Sequence, residues 1–279
     1  MVFFNHATRQ MTAKIVYYGP GLCGKTTNLT AIYDRTPAKA RGEMVSLSTE
    51  TDRTLFFDLL PLDAGRLGGF RARLQLYTVP GQVFYNATRK LVLKGVDGIV
   101  FVADSQTAML DANGDSLRNL GANLRELGLN PASIPLVFQW NKRDLPQLAP
   151  LEALERALNP GMLPSFPAAA RHGSGVFETL RAISRLALER IQRLHLGDRG
   201  PSGARGLAAG PAPEPLSFLD LLEFDPGAEA SPELRMVLPP GTDSDRLDVQ
   251  VRVRRNGRIV AEAEAPLVSD VLTLAFKRS

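Results

Sequence analysis

The chain has 279 residues, 44% hydrophobic and 22% charged, with one cysteine and a formal net charge of +4. That composition fits an ordinary globular domain with something added, and one cysteine excludes an internal disulfide. No apolar run approaches the length of a membrane span.

The charge is uneven. Residues 1–200 carry 24 Lys and Arg against 17 Asp and Glu, whereas residues 201–279 carry 9 against 12. The arginines of the first part are scattered, and no clustered basic and aromatic run points to nucleic acid. Residues 1–6 lack the charged-then-apolar layout of a targeting signal. Val2 excludes myristoylation, and residues 275–279 form no prenylation box. The expectation is a cytoplasmic protein without a lipid anchor, placed by protein partners.

The first predicted strand, residues 14–18, is apolar and runs straight into Gly19-Pro20-Gly21-Leu22-Cys23-Gly24-Lys25-Thr26-Thr27. A segment able to form a helix follows at 28–34. This is G-x-x-x-x-G-K-[ST] between a strand and a helix, the context that makes the motif a phosphate-binding loop. Its glycines let backbone N–H groups wrap an anion, and the helix N-terminus adds its dipole. Pro20 has no N–H, so the later residues of the loop supply the cradle. Lys25 reaches the β- and γ-phosphates and the Thr26 hydroxyl is a Mg²⁺ ligand. Cys23 reads mainly as a small residue filling the loop.

Two strands are predicted at 54–60 and 71–79, joined by the Gly-rich stretch 63–69. A continuous apolar run at 99–103 reads as a strand buried on both faces. Helices are predicted near 117–127, 151–158 and 176–194, with a strand at 134–140 between the first two. Strands alternating with helices make an α/β fold with a mostly parallel sheet and helices on both faces. Ligands of such folds bind at the carboxyl ends of the strands.

The strand at 134–140 ends in Asn141-Lys142-Arg143-Asp144. An Asp144 carboxylate can accept both N1–H and the exocyclic amine of guanine, two donors that adenine lacks. A buried carboxylate left unpaired is costly, so such a pocket discriminates strongly. Asn141 contacts the base and braces the loops, and the Lys142 stem covers the purine face. Phosphate loop and N-K-x-D together predict a guanine nucleotide, against the rival reading of an ATPase or kinase.

These motifs, with Leu76-Tyr77-Thr78-Val79-Pro80-Gly81-Gln82 and the runs 15–29, 46–57, 76–85, 94–105 and 141–146, resemble the MglA-type bacterial small Ras-like GTPases. The resemblance covers about the first 195 residues. It implies a Ras-like P-loop fold and a switch that binds GTP and GDP with Mg²⁺. Hydrolysis would be slow until an activating partner of the roadblock type, MglB-like, engages. Implied settings are cell polarity or gliding motility, with effectors to match. Gly81 would offer its N–H to the γ-phosphate, Gln82 would orient the attacking water, and Thr54 would sense the γ-phosphate and Mg²⁺. The resemblance also makes Arg53 an arginine finger supplied in cis. A solvated strand-edge charge remains the other reading of Arg53. Thr78 stands where other Ras proteins have aspartate, which removes a charge near the metal. Ala169 is placed to read the guanine O6, within Ala168-Ala169-Ala170.

The organisation expected is a GTPase domain at 1–196, a Pro/Gly-rich linker at 197–215, and a small β-rich or docking extension at 216–279. Residues 216–224 are apolar and flanked by acids, a docking peptide or local core. Residues 246–254 alternate strictly, 255–258 form a turn and 259–263 return, which is a β-hairpin, with a third strand within 267–276. A nucleotide-holding scaffold that works through this extension is the second functional class.

Overall fold

In the strand Gln10–Tyr18 (β2), half-buried and buried residues alternate until Ile15, and every residue from there to Tyr18 is buried. That change marks a strand entering the centre of a sheet covered on both faces. The computed structural model describes residues 3–5, 9–48, 57–67, 70–81 and 85–196, and the strands at 233–237, 248–255, 258–266 and 271–275.

β2 pairs in parallel with β5 (Phe70–Thr78) on one side and β6 (Gly98–Asp104) on the other. β7 (Leu136–Asn141) and the short β8 (Ser165–Pro167) extend the parallel series beyond β6. On the other flank β4 (Asp58–Leu67) and β3 (Met44–Ser48) add antiparallel, and β1 (Phe3–Asn5) pairs with the start of β2. The fold is α/β of the Ras-like kind, with a parallel centre and an antiparallel flank.

Helices cover both faces. α2 (Asn86–Leu93), α3 (Leu110–Glu126) and α4 (Leu151–Leu158) bury Leu93, Leu120, Leu124 and Leu154 with Val16, Phe101 and Trp140. α1 (Lys25–Arg35) and α5 (Val176–Leu196) close the opposite face, burying Leu29, Ile32, Leu180 and Ile183 with Ile15, Leu76 and Val100. All seven residues of β6 are buried, as its unbroken apolar run predicts.

Several boundaries differ from the sequence expectation. The Gly-rich stretch 63–69 is not a connector: β4 runs to Leu67 and β5 begins at Phe70, with a bulge between Asp63 and Arg66. The bulge shifts the register by one residue, and pairing resumes at Arg66↔Arg71. α3 begins seven residues before the predicted start, at Leu110, through a polar stretch whose Asn113 and Ser116 are buried. β3 was not foreseen from its polar serines.

In the last part, β10 (Asp248–Arg255) and β11 (Arg258–Pro266) form the predicted antiparallel hairpin. β12 (Val271–Ala275) pairs with β9 (Glu233–Val237) and does not continue that hairpin. β10 lies antiparallel against β3, so the sheet runs β11-β10-β3-β4-β5-β2-β6-β7-β8. Residues 216–224 lie outside the described residues.

Candidate nucleotide site

The loop after β2 and the first turn of α1 form the core of the site. Gly24 takes φ +99 at the N-cap of α1, and a Cβ there would meet the Asn141 side chain at 2.3 Å. Only glycine permits that turn and that contact. The first turn of α1 holds no acidic residue, so its free N–H groups and dipole face an anion without competition. Lys25 is 6% exposed, and its Nζ donates to the carbonyls of Gly19 at 3.0 Å and Pro20 at 2.6 Å. Burial pushes its pKa down, a shift that a bound polyanion would oppose. Cys23 is fully buried, its Sγ 3.6 Å from Lys25 Nζ, and burial pushes its thiol pKa up. That is a filling residue and not a reactive thiol.

The end of β5 reaches the same place. Gly81 lies so close to the loop that a Cβ on it would stand 2.4 Å from Gly21 Cα. Arg89 of α2, only 2% exposed, holds this approach: Nε donates to Pro80 O at 2.9 Å and Nη2 to Gly81 O at 2.6 Å. Its Nη1 donates to Asn119 Oδ1 of α3 at 2.7 Å.

Thr26 Oγ1 donates to Asp58 Oδ2 at 2.6 Å. The same oxygen accepts from Thr78 Oγ1 at 2.8 Å, and Oδ1 accepts from Ser46 Oγ at 2.6 Å. Asp58 is fully buried, and its N–H donates back to Thr78 Oγ1 at 2.9 Å. Thr26, predicted as a Mg²⁺ ligand, therefore sits against a carboxylate that sequence reasoning did not single out. Its signal was an aspartate within the otherwise apolar run 55–60. A carboxylate and hydroxyl oxygens are the donor set a hard divalent cation takes, so these residues fit Mg²⁺.

The N-K-x-D segment lies at the end of β7. Asn141 Nδ2 donates to Cys23 O at 2.7 Å, and its Oδ1 accepts from Ala170 N at 2.9 Å. One buried side chain thus ties the phosphate loop to the loop after β8, the bracing predicted for it. Lys142, at φ +68, donates through Nζ to buried Asp104 Oδ2 at 2.6 Å. Asp104, which ends the apolar β6, was also missed. Asp144 is 20% exposed, with His172 Nε2 at 3.5 Å.

A cavity of about 360 Å³ opens here, lined by Leu22, Gly24, Thr27, Asn141, Lys142, Asp144, Leu145, Ala170 and Arg171. Ala169 does not line it. Its N–H donates to Ser174 O at 3.0 Å, so the loop turns away there and Ala170 with Arg171 takes the wall. Gly19, Gly21, Cys23, Lys25, Thr26 and Gly81 gather beside this cavity at the ends of β2 and β5. Arg53, Thr54 and Gln82 lie outside the described residues.

Nucleotide-sized space between a phosphate loop and an N-K-x-D strand end frames the comparison with known proteins. The mutual gliding-motility protein MglA of Myxococcus xanthus (strain DK1622) is 56% identical over 193 residues, covering 69% of this chain and 99% of that protein. The chain belongs to the MglA family of small Ras-like GTPases. No family model matches it. The match covers nearly the whole relative, so that relative has no counterpart of about a third of this chain. Among the described residues no helix is long and apolar enough to cross a membrane.

Proposed function

We propose that this chain is a guanine-nucleotide switch that binds GTP with Mg²⁺, hydrolyses it slowly alone, and changes partners between the GTP and GDP forms. The observation that carries the reading is the Asn141 side chain. It joins the phosphate loop at Cys23 to the base-pocket wall at Ala170, beside Asp144. Phosphate and base recognition are thereby fixed at one separation, as a nucleoside triphosphate requires.

In this reading Asp144 accepts two donors from guanine, and Lys142 covers the base while paired to Asp104. Gly21, Leu22, Cys23, Gly24, Lys25, Thr26 and Thr27 hold the phosphates. Thr26 and Asp58 hold Mg²⁺, with Thr54 joining from its own segment. Mg²⁺, when bound, screens the charge that builds on the phosphate oxygens. Gly81 gives its N–H to the γ-phosphate, Gln82 orients the water that attacks it, and Arg53 stabilises the charge that develops.

The domain division follows: a GTPase domain at 1–196, a linker at 197–215 and an extension at 216–279. The Myxococcus relative is named for gliding motility, which supports a role in motility or cell polarity, exerted in the cytoplasm with recruitment to a cell pole. A roadblock-type, MglB-like activator is the expected partner.

The test is binding of GTP against ATP, then GTP turnover with and without a roadblock-type partner. The reading expects preference for GTP and acceleration by the partner, abolished by Arg53→Ala and by Gln82→Ala. GTP binding with no turnover under any condition would leave a nucleotide-holding scaffold in its place.

A further inference from the structure

β3 is the outermost strand of the α/β body, with β4 on one side and β10 on the other. Towards the body, its register with β4 covers Val45↔Leu59 and Ser46↔Asp58. Towards the extension, its register with β10 covers Gln250↔Ser48, Val251↔Leu47, Arg252↔Ser46, Val253↔Val45 and Arg254↔Met44. Among the described residues, every residue of β3 is thus paired to the hairpin, and two are paired to β4.

An open edge strand offers a row of N–H and C=O groups that another extended chain can join. Here a segment of the same chain has joined it. β10 lies between β3 and β11, so both its sides are paired and the exposed edge passes to β11. A tethered strand meets its edge at high effective concentration, so a free segment of a partner must displace it to dock there.

The paired stretch includes Ser46, opposite Arg252. Ser46 Oγ donates to Asp58 Oδ1, and the other oxygen of that carboxylate accepts from Thr26 at the head of α1. Backbone held by the hairpin is therefore two hydrogen bonds from the hydroxyl expected on Mg²⁺.

We propose that the hairpin 248–266 is a built-in cap on the β3 edge: it occupies the docking edge for extended partner segments and, through Ser46 and Asp58, couples that occupancy to the Mg²⁺-nucleotide site. Coupling of this kind is reciprocal, so nucleotide with Mg²⁺ strengthens docking of the hairpin as the hairpin strengthens the hold on nucleotide. The coupling rests on the nucleotide reading above; the docking does not.

Two full-length variants, Val251→Pro and Arg252→Pro, test it. Neighbouring residues of a doubly paired strand donate to opposite neighbours, so one of the two removes a bond to β3 and the other a bond to β11. Hydrogen exchange of the 44–48 amides, read first without nucleotide, should be about tenfold faster in the variants than in the natural chain. A synthetic peptide of residues 246–266 should restore protection in trans.

Release of a fluorescent GDP analogue at saturating Mg²⁺ should be several-fold faster in the variants, and the difference should vanish in excess EDTA. A chain ended at residue 196, close to the length at which the Myxococcus relative is complete, should reproduce both effects without any proline. Equal β3 exchange in all forms, or no rescue by the peptide, overturns the cap. Faster exchange with unchanged GDP release in Mg²⁺ overturns the coupling. No binding of the GDP analogue by any form would count against the nucleotide reading, while the exchange data would still decide the cap.

Discussion

Asp58 and Thr78 exchange two hydrogen bonds across neighbouring strands: Thr78 Oγ1 donates to Asp58 Oδ2 at 2.8 Å and accepts from Asp58 N at 2.9 Å. Thr78 stands where other Ras proteins carry aspartate, yet a carboxylate stands within reach on β4. The charge has moved one strand over.

Restoring the usual aspartate by Thr78→Asp therefore adds a second carboxylate against a buried one. Like charges at that separation cannot both ionise freely, so one is forced to protonate or the site is destabilised. Thr78→Asp is expected to lower stability, on the order of 1–3 kcal/mol by analogy with other unpaired buried groups. Mg²⁺ affinity should not rise. The double variant Asp58→Thr/Thr78→Asp keeps one charge and should recover much of the loss. Thermal midpoints and Mg²⁺ titration of GDP release check this. Tighter Mg²⁺ binding by Thr78→Asp alone would overturn it.

The loop after β2 and the N-K-x-D segment, which lie beside one cavity, stand out in the sequence because each is a contiguous run. Asn141 in particular could be given its bracing role from its place in N-K-x-D, and it makes that contact. Asp58, Ser46 and Arg89 were not legible because their meaning lies across strands and helices. Ser46 meets Asp58 only through the β3–β4 register, and Arg89 meets Gly81 only because α2 packs behind the loop. The hairpin could be read from alternation and a turn, but not its neighbour: β10 would pair as readily with any open edge, and only the topology selects β3. A run of three alanines carries no register of its own, and the Ala169 N–H bonds Ser174 O while that of Ala170 bonds Asn141 Oδ1.

Arg89 clamps the loop that carries Gly81, with two donors on the carbonyls of Pro80 and Gly81 and one on Asn119 of α3. We expect Arg89→Met to slow GTP hydrolysis by about tenfold or more, the range of losses when a supporting contact lets a reacting group drift. GDP affinity should change far less, since Lys25 and Asp144 are untouched. Arg89→Lys, which keeps one donor, should recover part of the rate. Single-turnover hydrolysis beside GDP titration separates the effects; equal loss of rate and affinity would mean that Arg89 only supports the fold.

Asp144→Asn exchanges a double acceptor for a group with one acceptor and two donors. Guanine then meets donors facing its own donors, whereas xanthine presents a carbonyl where guanine has its amine. GTP affinity should fall by about 10²-fold or more, as when a buried polar pair is mismatched, and xanthosine triphosphate should bind instead. Competition of both nucleotides against a labelled guanine nucleotide reads this directly. Unchanged preference for guanine would place the base elsewhere than beside Asp144.

Away from the site, Lys14 sits on β2 with its Nζ donating to Lys94 O at 3.0 Å and 4.6 Å from the centre of the Tyr77 ring. Burial lowers its pKa from 10.5 to about 8, with Asp97 partly opposing the shift. Asp97 accepts from the Lys14 N–H at 2.9 Å and has Arg190 at 3.9 Å, so its charge is shared. Between about pH 8 and 10.5 the unfolded chain binds a proton at Lys14 that the folded chain has released, so stability from this group rises with pH across that window. Below pH 8 the folded protein bears the full cost of the buried ammonium. Lys14→Met should therefore raise the urea midpoint at pH 7, and its advantage should shrink as pH climbs towards 10.5. A difference between the two proteins that stays constant from pH 7 to 10 would show that the ammonium is solvated in the folded state.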